Sequence, residues 1–332
     1  MAALPARADE RMTMNEILHN LFVMLVFPGL LFSVACGLLA VWIVRKVTAL
    51  IHHRIGPPPA QPLYDVLKLL GKETLIPEAG QKVVFVLAPM LGFAGSLVLA
   101  TLLWRGNLRP GQPFLGDVIG AVYLMAIPSL ALILGGSASA SPHAAIGTSR
   151  EIKLVISYEL ALVLALIVAL IKGVGAGATL PLSLGAMAAQ TPVWSVSGML
   201  AFLISVLCVQ AKLGLVPFDI AEAETEIAGG VLIEYSGPLL ALWQLMQAVC
   251  LVALPLFVVT VFLGGFGHTA AGMAGGVGKL VLVLVLLILI KNTNPRVRID
   301  QAMKFFWFLC GPVLLAAIAL AMIGRARGIG WL

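Results

Sequence analysis

Apolar residues run along this chain in long blocks, separated by short polar segments rather than alternating with them. Eight blocks predict membrane-spanning helices, at roughly 17–44, 83–104, 118–136, 152–172, 197–216, 238–263, 277–291 and 305–323. About twenty apolar residues in helical conformation cross a hydrocarbon core of about 30 Å. The short alternating segments of a membrane barrel do not appear. The seventh block is short of strictly apolar residues, and the glycine-rich stretch 264–278 can supply part of it. That stretch and 173–177 otherwise read as flexible loops, with no phosphate-binding glycine motif in either. The pattern predicts an all-α integral membrane protein of eight transmembrane helices, a single domain over residues 1–332.

Two polar segments stand out against the apolar blocks. The first loop, 45–82, carries Gly56-Pro57-Pro58-Pro59, a stiff extended stretch, ahead of a short amphipathic pattern. There Leu63, Val66, Leu67 and Leu70 are predicted on one helical face, with Asp65, Lys68 and Lys72 off it. Such a helix lies along the membrane surface or under a partner protein. The second segment, 217–238, reads PFDIAEAETEIAGGVLIEYSGP and holds Asp219, Glu222, Glu224, Glu226 and Glu234. Those five are a third of the chain's 15 acidic residues. A solvated loop could also carry five acids, but these alternate with Ala, Ile, Gly and Val rather than Ser, Lys and Asn. Ionised carboxylates at membrane depth are costly unless paired or hydrated, and they mark ion and proton paths.

Composition narrows the function classes. Hydrophobic residues make up 61% of the chain and charged ones 11%, against about 25% charged in a soluble domain. The net charge of +6 does not point to nucleic acid, because the basic residues sit at helix ends with no basic run. They read instead as topology signals. Thirteen of the 21 fall in loops 1–2, 3–4, 5–6 and 7–8, which predicts those loops in the cytoplasm and both termini outside. The first apolar block is too long for a signal-peptide core and has no small-residue cleavage site before Arg45. Cys36, Cys208, Cys250 and Cys310 are isolated in apolar runs, and the five histidines show no ligand spacing. Zinc and iron–sulfur sites need clustered ligands, so no metal or redox cofactor is expected in this chain.

Four polar clusters fall in the predicted cytoplasmic loops or beside them. The first spans His53-Arg54 to Lys68-Leu69, and the second is Arg150-Glu151 leading to Ile156-Ser157-Tyr158-Glu159. The third is the acidic segment, and the fourth is Asn294-Pro295-Arg296-Val297-Arg298-Ile299-Asp300-Gln301. Their convergence on one membrane face implies a docking surface above a polar cavity. Glu159 enters the apolar run of the fourth span, where a basic neighbour or desolvation must set its protonation. It is a candidate proton carrier. Arg150, Lys212 and Arg296 are the candidate compensating charges.

These stretches resemble a known family. RIGPPPAQPLYDVLKLLGKETLIP (54–77), ISYE (156–159), VPFDIAEAETEIAGGVLIEYSGP (216–238) and NPRVRIDQAMKFFW (294–307) are similar to the NuoH subunit of respiratory complex I. The resemblance is closer to the related subunits of energy-converting membrane-bound NiFe hydrogenases. It implies an eight-helix subunit joining a cytoplasmic redox arm to antiporter-like membrane subunits in the inner (cytoplasmic) membrane. It further implies that Glu159, Asp219, Glu222, Glu224, Glu226 and Glu234 take part in coupling electron transfer to proton or sodium movement. Arg54, Asp65, Lys68, Lys72, Arg150, Lys212, Arg296, Arg298 and Asp300 are the expected partner-facing or charge-compensating residues. The implied partners are the hydrogenase large and small subunits, an iron–sulfur subunit and an antiporter-like subunit. The NiFe centre and the iron–sulfur clusters would lie in those partners.

One departure separates two branches of that family. Quinone-reducing members carry an acid and an arginine in a stretch like AExxRxPFD, where this chain has Lys212 and Leu215. Val44 stands where an acid usually precedes the paired basics Arg45-Lys46, and Pro58-Pro59 replaces Asn-Arg after Gly56-Pro57. These changes remove groups that would orient a quinone headgroup, which favours the hydrogenase type over a complex I-type NADH dehydrogenase. A stand-alone ion transporter would show a repeated fold with broken helices, and no repeat is visible. A purely structural anchor would not need Glu159 and five clustered acids.

Overall fold

The computed structural model describes residues 14–109, 117–174, 182–267 and 269–332. Their regular elements are all helices, with no strand among the described residues. In chain order the helices are α1 (Met14–Leu25), α2 (Leu30–Ile51), α3 (Gln61–Leu70), α4 (Lys82–Leu108), α5 (Asp117–Ala138) and α6 (Pro142–Gly173). They continue with α7 (Leu184–Ala188), α8 (Val196–Lys212), α9 (Glu224–Ile227), α10 (Gly237–Phe262) and α11 (Ala270–Thr293). The last span joins α12 (Ile299–Lys304) to α13 (Gly311–Arg327) through a π-helical turn at Phe305–Cys310. Among the described residues seven helical stretches are long and apolar enough to cross a membrane, and α8 is a shorter apolar helix. Together they make the eight expected spans.

Long-range bonds sort the connections onto two faces. On one, Leu75 N donates to Ser236 Oγ at 3.1 Å and Val297 N to Pro217 O at 3.0 Å. Gln81 N reaches Ala138 O at 3.0 Å on the same side. On the other, Gln190 Nε2 donates to Gly173 O at 2.6 Å, Phe266 N to Asn107 Oδ1 at 3.1 Å and Val196 N to Trp331 O at 3.0 Å. The four polar clusters therefore do share one face, and the C-terminus lies on the opposite one.

The centre of the bundle is α10. Every residue from Ala248 to Phe262 in it is buried. It meets α2 backbone to backbone, where a Cβ added at Gly37 would lie 2.7 Å from the Ala248 carbonyl oxygen. With lipid outside, apolar area does not favour one helix pairing over another, so close backbone approach at small residues does the work.

Several boundaries differ from the sequence pattern. The first apolar block is not one helix: residues 26–29 break it, and the span runs from Leu30 to Ile51 rather than over 17–44. Pro28 lacks an N–H to continue the helix, and Ser33 Oγ donates to its carbonyl at 3.0 Å. Residues 270–278 are not a loop but the opening turns of α11, started by Thr269, whose Oγ1 accepts from Gly272 N at 3.0 Å. The stretch 264–267 does stay irregular, and 175–177 lie outside the described residues. Finally, α3 buries Pro62, Val66 and Leu69 against the start of α10, leaving Leu63, Leu67 and Leu70 exposed. Its apolar side is wider than a single stripe, and packing selects the stripe at positions i, i+4 and i+7.

Replacing Gly37 with Val should destabilise the bundle by about 1–3 kcal/mol through overpacking against α10. The melting temperature of the solubilised, assembled complex reads this out. An unchanged value would mean that α2 and α10 are not in close contact.

Candidate functional site

Residues 213–236, between α8 and α10, form a folded cap rather than a loose loop. Phe218 packs on Phe306 with ring centroids 5.1 Å apart, which pins the start of the segment to the π-helical turn. Tyr235 stacks on Phe85 at 4.1 Å and donates its hydroxyl to the Phe85 carbonyl at 3.1 Å, which pins the end to α4. Burial raises the Tyr235 hydroxyl pKa above its ordinary value, so the donor proton stays in place. In the middle the backbone lies directly on α6. A Cβ at Gly147 would lie 2.8 Å from Ala221 O and 2.9 Å from Val231 N. Only glycine leaves that space.

This packing sets the carboxylates at successive depths. Outermost, Glu226 accepts from Arg150 Nη1 at 2.6 Å and is exposed, while Arg150 also donates to Ile220 O at 3.3 Å. Beside it Asp219 pairs with Arg296 at 3.0 Å. These four residues line a surface cavity of about 200 Å³ together with Arg298 and Asp300. Deeper, Gln247 Nε2 of α10 donates to both oxygens of Glu222, at 3.1 and 3.3 Å. Furthest along α6 from the cap, Glu159 accepts from Lys212 Nζ at 2.5 Å. The Lys212 side chain is only 2% exposed. Its ammonium also donates to Met125 O at 3.1 Å and lies 5.0 Å from the centre of the Tyr158 ring.

Glu222 stands at a junction of two cavities. One, of about 40 Å³, is walled by α5, α6, α8 and α10 and is lined by Ser129, Glu151, Lys212 and Gln247. The other, of about 320 Å³, is bounded by α2, α3, α10 and α11 and lined by Arg45, Asp65, Leu215 and Lys291. In that second cavity Arg45 pairs with Asp65 at 2.7 Å, which holds the Asp65 carboxyl below the usual aspartate range. Burial first, and then the negative charges of Glu151 and Asp219, push the Glu222 carboxyl up to about 7, with the Gln247 amide opposing them.

The arrangement suits proton handling, because paired and unpaired carboxylates follow one another from the surface inward. A sequence model of the NADH dehydrogenase family matches residues 22–322. The chain belongs to that family. It is similar to the NuoH-type subunit of the NADH-quinone oxidoreductase of Geobacillus kaustophilus, 36% identical over 321 residues, covering 91% of this chain and 92% of the relative. The corresponding protein of Thermomicrobium roseum is 32% identical over 338 residues, covering 94% and 98%. Among solved structures, a chain of the membrane-bound sulfane sulfur reductase, an archaeal respiratory membrane complex, superposes with a TM-score of 0.79. It is 28% identical and covers 92% of this chain and 99% of that one. As a NuoH-like family member, this chain is a multi-pass membrane subunit of a complex I-type respiratory oxidoreductase.

Not every residue expected at the site is brought to it. Asp219, Glu222 and Glu226 converge with Arg150 and Arg296, and Glu159 with Lys212. Glu234 is partly buried near the end of the segment and lines none of the three cavities above. Glu224 opens α9, and its side chain lies outside the described residues. Arg54, Lys68 and Lys72 are exposed on the same face. The residues missed are Glu151 and Gln247. Glu151 follows Arg150 directly, and its depth shows only once α6 is seen to begin at Pro142 rather than near 152. Gln247 had no signal at all, being one amide in an apolar run.

With its carboxyl near 7, Glu222 is neutral below that pH and ionised above it. An infrared carboxyl titration of the intact complex should show a limb near neutrality that E222Q abolishes. Gln247 favours the ionised form, so Q247L should move the limb to higher pH. A limb that stays in place in both variants would exclude Glu222 as the titrating group.

Proposed function

We propose that this chain is the coupling subunit of a redox-driven, ion-translocating complex in the cell (inner) membrane. The observation that carries the reading is the graded series of carboxylates running from the Arg150–Glu226 and Arg296–Asp219 pairs, through Glu222, to the Glu159–Lys212 pair. A charge change at a cytoplasmic redox arm alters the protonation of the outermost member, and each group then shifts its neighbour. The face bearing the four polar clusters is cytoplasmic in this reading, following the basic-residue bias. Labelling of single cysteines should therefore mark position 72 from the cytoplasm and position 330 from outside.

The redox arm is of the hydrogenase type, with a NiFe site and iron–sulfur clusters in partner subunits and none in this chain. Two placements support it. Lys212, standing where quinone-reducing relatives carry an acid, turns into the bundle toward Glu159. Leu215, standing where they carry arginine, leaves an aliphatic group on the wall of the 320 Å³ cavity. A solved relative described as a sulfane sulfur reductase is also consistent with an acceptor other than quinone. Quinone reduction is the second reading, favoured by the cavity itself and by relatives named as NADH-quinone oxidoreductase subunits.

Quinone extraction separates the two. Hydrogen turnover by the intact complex should persist after extraction and resist quinone-site inhibitors, whereas activity lost on extraction and restored by added quinone establishes the second reading. For coupling itself, E222Q and E226Q should abolish the ion gradient and slow redox turnover only as far as the two are tied. Normal pumping in both would reduce the acids to a solvated face.

A further inference from the structure

Glu151 is one of the most enclosed charges in the molecule. It is 8% exposed, on α6, two turns before Glu159 on the same helix. It lines the 40 Å³ cavity with Ser129 of α5, Lys212 of α8, Gln247 and Cys250 of α10, and Asp219 and Glu222 of the cap. Tyr158 and Glu159 lie beyond Lys212, within its reach. The volume is enough for a water molecule, which needs about 10–15 Å³ and two to four polar partners.

The charges around this cavity do not balance ion by ion. Lys212 is taken by Glu159 at 2.5 Å, and Asp219 by Arg296 at 3.0 Å. Glu151 and Glu222 face the same space without an ion-pair partner of their own among the described residues. Two carboxylates sharing a small enclosed site do not both ionise, because the second charge must be placed against the first in a poorly solvated region. Neutralising one with a proton removes the conflict.

We propose that Glu151 and Glu222 form a proton-loading pair, holding one proton between them across the cavity, with the Lys212–Glu159 pair as the counter-charge at its inner end. The inference rests on the coupling role proposed above and deepens it. The step conserves charge and atoms: the Glu222 carboxylic acid gives its proton through the cavity water to the Glu151 carboxylate, leaving Glu222 ionised and Glu151 neutral. No electron moves and no other group is consumed. Glu222, which also borders the 320 Å³ cavity, is the member open to the outside, and Glu151 is the inner store.

The test uses the intact complex and its E151Q, E151D and E222Q variants, with redox turnover, ion gradient and infrared difference spectra recorded separately. In the parent complex a protonated-carboxyl band should change on turnover and shift in heavy water. E151Q should lose that band and slow formation of the gradient by roughly a hundredfold or more, the scale of losing a proton-transfer group. Gln keeps the shape and a hydrogen bond but not the titration, whereas E151D keeps the titration and should restore part of the gradient. Removing the Glu151 charge should also move the Glu222 limb to lower pH. Normal pumping in E151Q alongside failed pumping in E222Q would overturn the pair and leave the coupling role standing. No gradient in the parent complex would instead overturn the coupling role. If E151Q fails to assemble, the parent spectrum decides, and the absence of any turnover-sensitive protonated carboxyl overturns the pair.

Discussion

The fold is organised around the problem of keeping carboxylates inside an apolar bundle. Removing an ion from water costs several kcal/mol even after relaxation, and an attractive partner offsets this only with good geometry and further hydrogen bonds. The Lys212–Glu159 pair meets those terms. The lysine sits at the last turn of α8, reaches across to α6, and spends a second donor on a backbone carbonyl of α5. Three helices thus meet on one ammonium group. Other features follow from this choice. The segment after α8 must fold back over the pair, and so it is held by aromatic contacts at both ends and laid tightly on α6.

The same segment explains why an acidic stretch can be close-packed. Its small residues admit the neighbouring helix, while its acids are each directed to a different depth. Glu226 and Asp219 remain near water with arginine partners, and Glu222 turns inward to an amide. One chemical group thus meets three surroundings, an exposed arginine pair, a partly buried one and a buried amide. Arginine suits the outer pairs because it stays charged, and a neutral amide suits the inner one because it does not lock the carboxylate as an anion.

Much of this was legible in the sequence, since hydropathy reports which residues avoid water. Spans two, three, five and six, the presence of the surface helix and the acidic cluster needed nothing beyond the pattern of apolar blocks. Helix ends were less visible. Pro28 interrupts an apolar run that hydropathy reads as continuous, and the glycines at 270–278 look like loop while α11 runs through them. The pairing of charges was not legible, because it depends on which helices touch. Lys212 was one of several candidate counter-ions for Glu159, and only the α6–α8 contact selects it. Gln247 escaped for the same reason, and Glu151, though part of a polar cluster, was not singled out until its neighbours were known.

The length of α8 has a further consequence. Its 17 residues rise about 25 Å, less than the roughly 30 Å of a bilayer core. The cap and its cavities therefore sink below the plane where the longer helices emerge. Glu159 lies fourteen residues before Gly173 at the far end of α6, about 21 Å from it. A charge reaching Glu159 has thus already crossed part of the insulating layer. Across a polarised membrane each elementary charge carries about 2.3 kcal/mol per 100 mV of full traverse. In the proposed coupling role, ion transfer past this depth therefore works against the membrane voltage as well as against the concentration gradient.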